Sequence, residues 1–257
     1  MIQMLLLDEA LDQRGLLEVK EGIAHQINRL VTQVERTVMA IRMVPVQRIV
    51  PKLRRILRDI CRDQKKEVEL VVNCGDIEAD TGVVDIISEA MMHMLRNAVD
   101  HGIEAPEARA AAGKDRKGTI TFNVESTVGE LIVSLEDDGC GIDIERVREQ
   151  ARAKGLFVRP EETYDRQEVI GMILCPGFTT SDAVTEYSGR GVGLDVVKNI
   201  LEGVGGNLYI QSERGTGTCF TLTMPLTLAN MECVRFKVGD YRMSVPARQV
   251  FQFLDYS

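Results

Sequence analysis

The chain has 257 residues, a net charge of −8, and 44% apolar and 27% charged residues. That balance is ordinary for a soluble globular protein with room for one large domain or two modest ones. The acidic excess argues against nucleic-acid binding as a main role.

Residues 1–15 open with an apolar patch and carry no specific signal. From Leu16 a helical pattern sets in, with Ile23, Ile27, Leu30, Val34, Val38 and Ile41 close to a heptad seam. Pro45 ends that helix or opens the next. A second pattern follows in Val46, Ile49, Val50, Leu53, Ile56, Leu57 and Ile60, where Pro51 predicts a kink or a late start. The two helices read as an antiparallel hairpin, and the length of its apolar seam favours a second copy and a four-helix bundle over packing onto its own domain.

Beyond residue 66 the texture becomes mixed. Residues 68–72, 119–126, 131–136, 207–212 and 219–224 read as strands, and residues 80–101 as a helix. This predicts an α+β sandwich, a mixed sheet with helices on one face. Residues 231–238 and 241–245 flank Gly239 and Asp240 as a two-residue hairpin, the expected front edge of a further domain.

On the helix over 80–101, Ile87, Met91, Met94, Leu95 and Ala98 mark a buried face. His93, Arg96, Asn97, Asp100 and His101 form one polar stripe, with Gly102 as a C-terminal stop. The stripe is either a solvated face or a functional one. A metal shared by the two histidines is excluded, because two helical turns put them about 12 Å apart. Downstream, EDDGCGID (136–143) ends a strand in an acidic pair and runs into Gly139 and Gly141. GRGVGLD (189–195) places Gly189, Arg190, Gly191, Val192, Gly193 and Leu194 at a helix start, a ready anion site. It lacks the Lys of a Walker loop and the preceding strand of a dinucleotide fingerprint.

Together these stretches resemble the Bergerat ATP-binding fold shared by histidine kinases, type II topoisomerases, MutL and Hsp90. IRMVP (41–45), LRDI (57–60), HMLRNAVDHGIE (93–104), EDDGCGID, PGFTTSD (176–182), SGRGVGLDVVK (188–198) and GTGTCFTLTMPLTLA (215–229) are similar to the CheA-like chemotaxis histidine kinases. The resemblance implies a dimerisation hairpin over 1–66, an ATP-binding catalytic domain over 67–227, and the start of a CheW-like regulatory domain over 228–257. His93, where other members of the group carry Glu, is specific to the CheA-like kinases.

The resemblance also implies roles. Asn97 is expected to ligate Mg²⁺, and Asp137 to accept the adenine amine, with Gly139 and Gly141 allowing close approach. The glycines of 189–193 are expected to cradle phosphates through main-chain N–H groups. Residues 179–188 would form a lid anchored by Phe178, with Thr218 near the pocket. His93 is the expected proton acceptor or orienting group for the incoming nucleophile. Arg96 and His101 would serve phosphate or structure, and Asp100 would orient one of them. His25 lies mid-hairpin and is read as structural.

The implied reaction is γ-phosphoryl transfer from ATP to a histidine on a separate phosphotransfer domain. Implied partners are a second copy, a CheW-like adaptor and a chemoreceptor. The six cysteines (Cys61, Cys74, Cys140, Cys175, Cys219, Cys233) form no CxxC pair. There is neither a signal peptide nor an apolar run long enough to span a bilayer. Reduced thiols and a cytoplasmic setting, at the membrane's inner face through receptor arrays, are therefore expected. Cys140, beside the expected nucleotide, reads as an inert thiol. The competing functions are a catalytically silent dimeric scaffold and a MutL- or topoisomerase-like ATPase clamp.

Overall fold

Alternation of apolar and polar residues builds the sheet. In the computed structural model, which describes residues 17–178, 194–227, 233–239, 241–246, 250 and 252, β1 (Val68–Asn73), β2 (Gly118–Ser126), β3 (Glu130–Asp137), β4 (Asn207–Glu213) and β5 (Gly217–Pro225) form one mixed sheet. Its order is β1-β2-β3-β5-β4. β1 pairs with β2 in parallel, and the other neighbours are antiparallel. Ile120, Phe122, Leu131, Val133, Leu135, Leu208, Ile210, Phe220, Leu222 and Met224 point into one buried layer. The other face is polar: Asn73 donates to Asn123 (2.8 Å), which donates to Ser134 (3.3 Å). A sheet with one apolar face requires its helices on that face, as expected.

Helix α1 (Leu17–Arg42) carries the predicted seam, with Ile23, Ile27, Leu30, Val34, Val38 and Ile41 each at least 44% exposed. Helix α2 (Val50–Gln64) starts late, so Pro51 falls in its first turn, where no backbone bond is lost. It buries Val50, Leu53, Leu57 and Ile60 in the same core as the sheet. The two-helix unit over 1–66 is thus corrected. Backbone contacts divide the chain into units 1–43 and 44–257, and α2 belongs to the second. The physical reason is simple. Burying one such side chain is worth about 1.5–3 kcal/mol, and α2 finds that burial within its own domain rather than waiting for a partner.

Helix α3 (Thr81–Asn97) is capped by Asp80, whose carboxylate accepts from Gly82 N at 2.8 Å. Val83, Val84, Ile87, Met91, Met94 and Leu95 are fully buried beneath the sheet. The helix does not run on to His101 as an α-helix: Ala98–Gly102 is a π turn, closed by Ile103 N on Ala98 O at 2.7 Å. Short α4 (Pro106–Ala111), then α5 (Ile144–Ala153), α6 (Arg166–Gly171) and α7 (Leu194–Gly203) follow. Asp143 caps α5, and Asp165 with Glu168 forms a capping box on α6. Strands β6 (Cys233–Val238) and β7 (Tyr241–Pro246) pair in the expected hairpin.

Candidate active site

The C-terminal end of β3 is the best-defined polar point of the fold. Asp137 is 4% exposed, and its Oδ1 accepts from Gly139 N at 2.9 Å. Burial pushes its carboxyl up to about 6, against the backbone N–H groups of Gly139 and Thr218, which hold it down. Backbone walls close around it. A methyl carbon on Gly102 would stand 3.0 Å from Asp137 Oδ1, one on Gly139 would stand 2.2 Å from Gly102 O, and one on Gly217 would stand 1.8 Å from Asp137 O. Gly102 does not have a positive φ. It ends the helical segment as expected, without a left-handed turn, and what it adds is close approach to Asp137.

Two turns lean on each other here. Gly141 adopts φ +70° against Glu213 O. Gly215 N donates to Cys140 O (2.8 Å), and Ile142 N donates to Ser212 Oγ (2.8 Å). Ser212 Oγ donates to Gly217 O (2.9 Å) and lies 3.0 Å from Thr218 Oγ1. Thr218 is itself buried and is the cross-strand partner of Asp137. Burial pushes the Cys140 thiol up, helped by Glu104 and Asp137, so it stays protonated and inert.

Behind this turn lies a charge network that composition and motif gave no reason to single out. Arg109, 1% exposed, donates to Glu104 (3.1 Å), to Asp138 Oδ2 (2.9 Å) and to Asp115 O (2.7 Å). Lys114 donates to Glu104 (3.0 Å) and to the carbonyls of Asp138 (2.8 Å) and Gly139 (2.6 Å). Asp138 Oδ1 in turn accepts from Thr119 N at 2.9 Å. An arginine in EAPEARAAAGK reads as surface. Only the acids at 104 and 138, far apart in sequence, reveal why it is buried.

The polar stripe of α3 is divided. His93 and Asn97 are half-buried, and no hydrogen bond to either side chain is made among the described residues. Burial, then Arg96, push the His93 imidazole down, while Asp195 and Asp100 pull it up. Arg96 is exposed. With Asp100 it lines a groove whose other wall is Asp59, Asp63 and Gln64 of α2. Gln64 donates to Asp100 Oδ1. The π turn displaces Asp100 and His101 from the straight i+7, i+8 stripe, and His101 is exposed.

Leu194 packs half-buried against the core at the start of α7. Asp195, not anticipated from the sequence, accepts from Gly177 N at 3.1 Å. Phe178 lies in a separate apolar cluster with Val147, Ala151, Val169 and Met172, and Lys154 Nζ lies 5.6 Å from its ring centre. Gly189, Arg190, Gly191, Val192, Gly193 and the expected lid over 179–188 lie outside the described residues. Among the described residues no cluster of His, Cys, Asp and Glu has the make-up of a metal site.

A buried carboxylate walled by glycine, beside a helix carrying His and Asn, invites comparison with known proteins. The sequence profile of the histidine kinase-, DNA gyrase B-, and HSP90-like ATPases matches residues 86–228, more than half of the chain. The chain belongs to this ATPase family. It is similar to chemotaxis protein CheA of Halobacterium salinarum, with 40% identity over 227 residues, 88% of this chain and 34% of that protein. CheA of Rhizobium meliloti is 37% identical over 243 residues, 95% of this chain and 32% of that protein. The chain thus spans about a third of the length of these curated relatives. Among solved structures, the catalytic domain of histidine kinase ThkA aligns with a TM-score of 0.44 at 18% identity, over 72% of this chain and 95% of that one. The segment matching the ATPase family takes in most of α3, the Asp137 turn and β5, and begins after α2.

Proposed function

We propose that the chain is the ATP-binding core of a CheA-type protein-histidine kinase, transferring the γ-phosphoryl group of ATP to a histidine on a separate phosphotransfer domain. The observation that carries this reading is Asp137, a buried carboxylate at a strand end with a glycine wall at Gly102. Its pKa of about 6 leaves it largely ionised at neutral pH, an acceptor for an exocyclic amine in a slot too narrow for a side chain. Gly139 and Gly141 shape the slot, and Thr218 lines its strand side.

His93 supports the transfer half. Its lowered pKa keeps the imidazole neutral at pH 7, able to accept a proton or orient the incoming nucleophile. The carboxamide of Asn97, half-buried with no internal hydrogen bond, suits one position in a Mg²⁺ shell completed by phosphate oxygens and water. When bound, the metal supplies charge neutralisation at the phosphates. The glycines of 189–193, with Arg190, would bind phosphate, with Phe178 anchoring the segment that precedes them.

The open seam of α1 supports dimerisation with a second copy. β6 and β7 fit the opening strands of a CheW-like domain that engages an adaptor and a chemoreceptor. No helix among the described residues is long and apolar enough to cross a membrane. We assign the chain to the cytoplasm, at the inner face of the membrane through receptor arrays.

The test is incubation with labelled ATP, Mg²⁺ and a separate histidine phosphotransfer domain, with and without Asn97→Asp. Phosphoprotein that forms with the wild type and falls at least tenfold with the variant is the expected result. ATP binding with no transfer sinks the kinase reading in favour of a silent scaffold. Free phosphate without phosphoprotein turns it to a clamp ATPase.

A further inference from the structure

The π turn is held from behind. α2 ends at Gln64, and Lys65 then takes φ 54°, the one positive φ outside glycine among the described residues. That left-handed residue turns the chain back, and Lys66 N caps the helix on Cys61 O at 3.0 Å. The Lys66 side chain crosses to α3, where Nζ donates to Val99 O at 2.6 Å. Val99 is 0% exposed, so no solvent reaches that carbonyl in exchange. At the next residue of the turn, Asp100 Oδ1 accepts from Gln64.

The far end of the same turn touches the candidate pocket. Gly102 O accepts from Cys140 N at 2.9 Å, His101 O takes the Cys140 thiol at 3.5 Å, and the Gly102 Cα faces the Asp137 carboxylate. A helix end leaves its last carbonyls without partners. Here they are satisfied from two sides, by the end of α2 and by the glycine turn of β3. A π turn is a rare variant of the helix, found mostly as single turns and often at functional sites.

We propose that Lys66, with Gln64 beside it, is a positioning residue for the nucleotide, holding the π turn so that Gly102 seats Asp137. Neither residue touches the ligand. Each acts through the fraction of molecules whose turn is set, and apparent affinity scales with that fraction. The end of α2 is thereby part of the nucleotide site, although it lies outside the segment that matches the ATPase family. This rests on the reading of Asp137 as the adenine acceptor.

The experiment is ADP binding by titration calorimetry on the full chain, well below the melting temperature. Lys66→Met keeps the aliphatic stem and removes the donor, and is expected to weaken ADP by roughly three- to tenfold, the weight of one hydrogen bond. Adenosine affinity should fall by the same factor, because the effect is on the base side. Lys66→Arg should restore most of the affinity, and Lys65→Met, exposed next door, should leave it unchanged. A purely structural lysine would lower the melting temperature while leaving ADP affinity of the folded protein as it was, and that result overturns the proposal. Should Lys66→Met fold poorly, Gln64→Ala at its exposed position carries the test, with two- to threefold weaker binding expected and unchanged binding overturning it. If the wild type binds no ADP, the reading of the pocket falls and this inference with it. Wild-type binding with unaltered variants removes the brace alone.

Discussion

Gly102 and Asp137 meet with no room for a side chain between them: a methyl carbon on Gly102 would stand 3.0 Å from Oδ1 and 3.2 Å from Oδ2. Gly102→Ala therefore asks the carboxylate to shift by a few tenths of an ångström. The expected outcome is about tenfold weaker nucleotide binding with at most about 1 kcal/mol lost in stability, since the backbone is otherwise compatible. Gly217→Ala differs in kind, because its added carbon meets the Asp137 backbone at 1.8 Å with φ at +139°. Denaturant melts should show a loss of more than about 3 kcal/mol there.

Asp137 sets function against stability. Its carboxyl lies at about 6 in the fold against an ordinary 3.8, so between those values the native state keeps a proton that the unfolded chain has released. Stability contributed by this group is present below pH 4, falls as pH rises through 6, and stays lost above it. Asp137→Asn removes the penalty. Urea melts should find the variant more stable by roughly 1–3 kcal/mol at pH 7.5 and little changed at pH 4. Nucleotide affinity should move oppositely, rising with pH through about 6 in the wild type and lost in the variant.

The end of the independent unit is also testable. A chain starting at residue 44 should melt cooperatively and bind nucleotide, whereas one starting at residue 67 should not fold, lacking Leu53, Leu57 and Ile60. Leu57→Ala in the full chain should cost about 2–5 kcal/mol in the same transition that nucleotide stabilises.

Arg109 is the buried centre of its network, and replacing it takes the guanidinium from Glu104 and Asp138, leaving Lys114 on the first and Thr119 N on the second. Arg109→Met should destabilise the fold by about 3–5 kcal/mol in denaturant melts. Arg116→Met, in an exposed pair with Glu107, should change stability by less than about 1 kcal/mol.

On α1, Leu30 is 58% and Val34 61% exposed. Sedimentation velocity should find the wild type dimeric and Leu30→Glu monomeric, with catalytic-unit stability unchanged. A monomeric wild type would remove the dimerisation reading.

Strand alternation in 119–126 and 219–224 and the acidic glycine turn were legible because a half-buried strand and a tight turn each leave a local signature. The fate of α2 was not. Periodicity shows which face of a helix is buried but is silent on what covers it, so Leu53 and Leu57 looked like a dimer seam when they belong to the sheet's own core. The π turn was invisible for a related reason, since one residue of extra pitch changes no apolar spacing before it ends. Gly102 ends the helical segment as its place in the sequence predicts, but its second part, the close approach to Asp137, shows only in the fold. His93 and Asn97 stand out by composition, whereas Lys66 and Asp195 gain meaning from partners distant in the chain, and Arg109 and Lys114 from contacts that join Glu104 to the Asp138 turn.

The last strand of the sheet to be made, β5, is inserted between β3 and β4 and not added at an edge. Asp137 therefore has no wall at Gly217 or Thr218 until the whole sheet has closed, and its neighbours come from stretches widely separated along the chain. Pairings of that range form late in folding. Without β5 in place the pocket lacks the side that Gly217 and Thr218 supply. A nucleotide that binds the closed sheet opposes its unfolding, so the melting temperature should climb with nucleotide concentration.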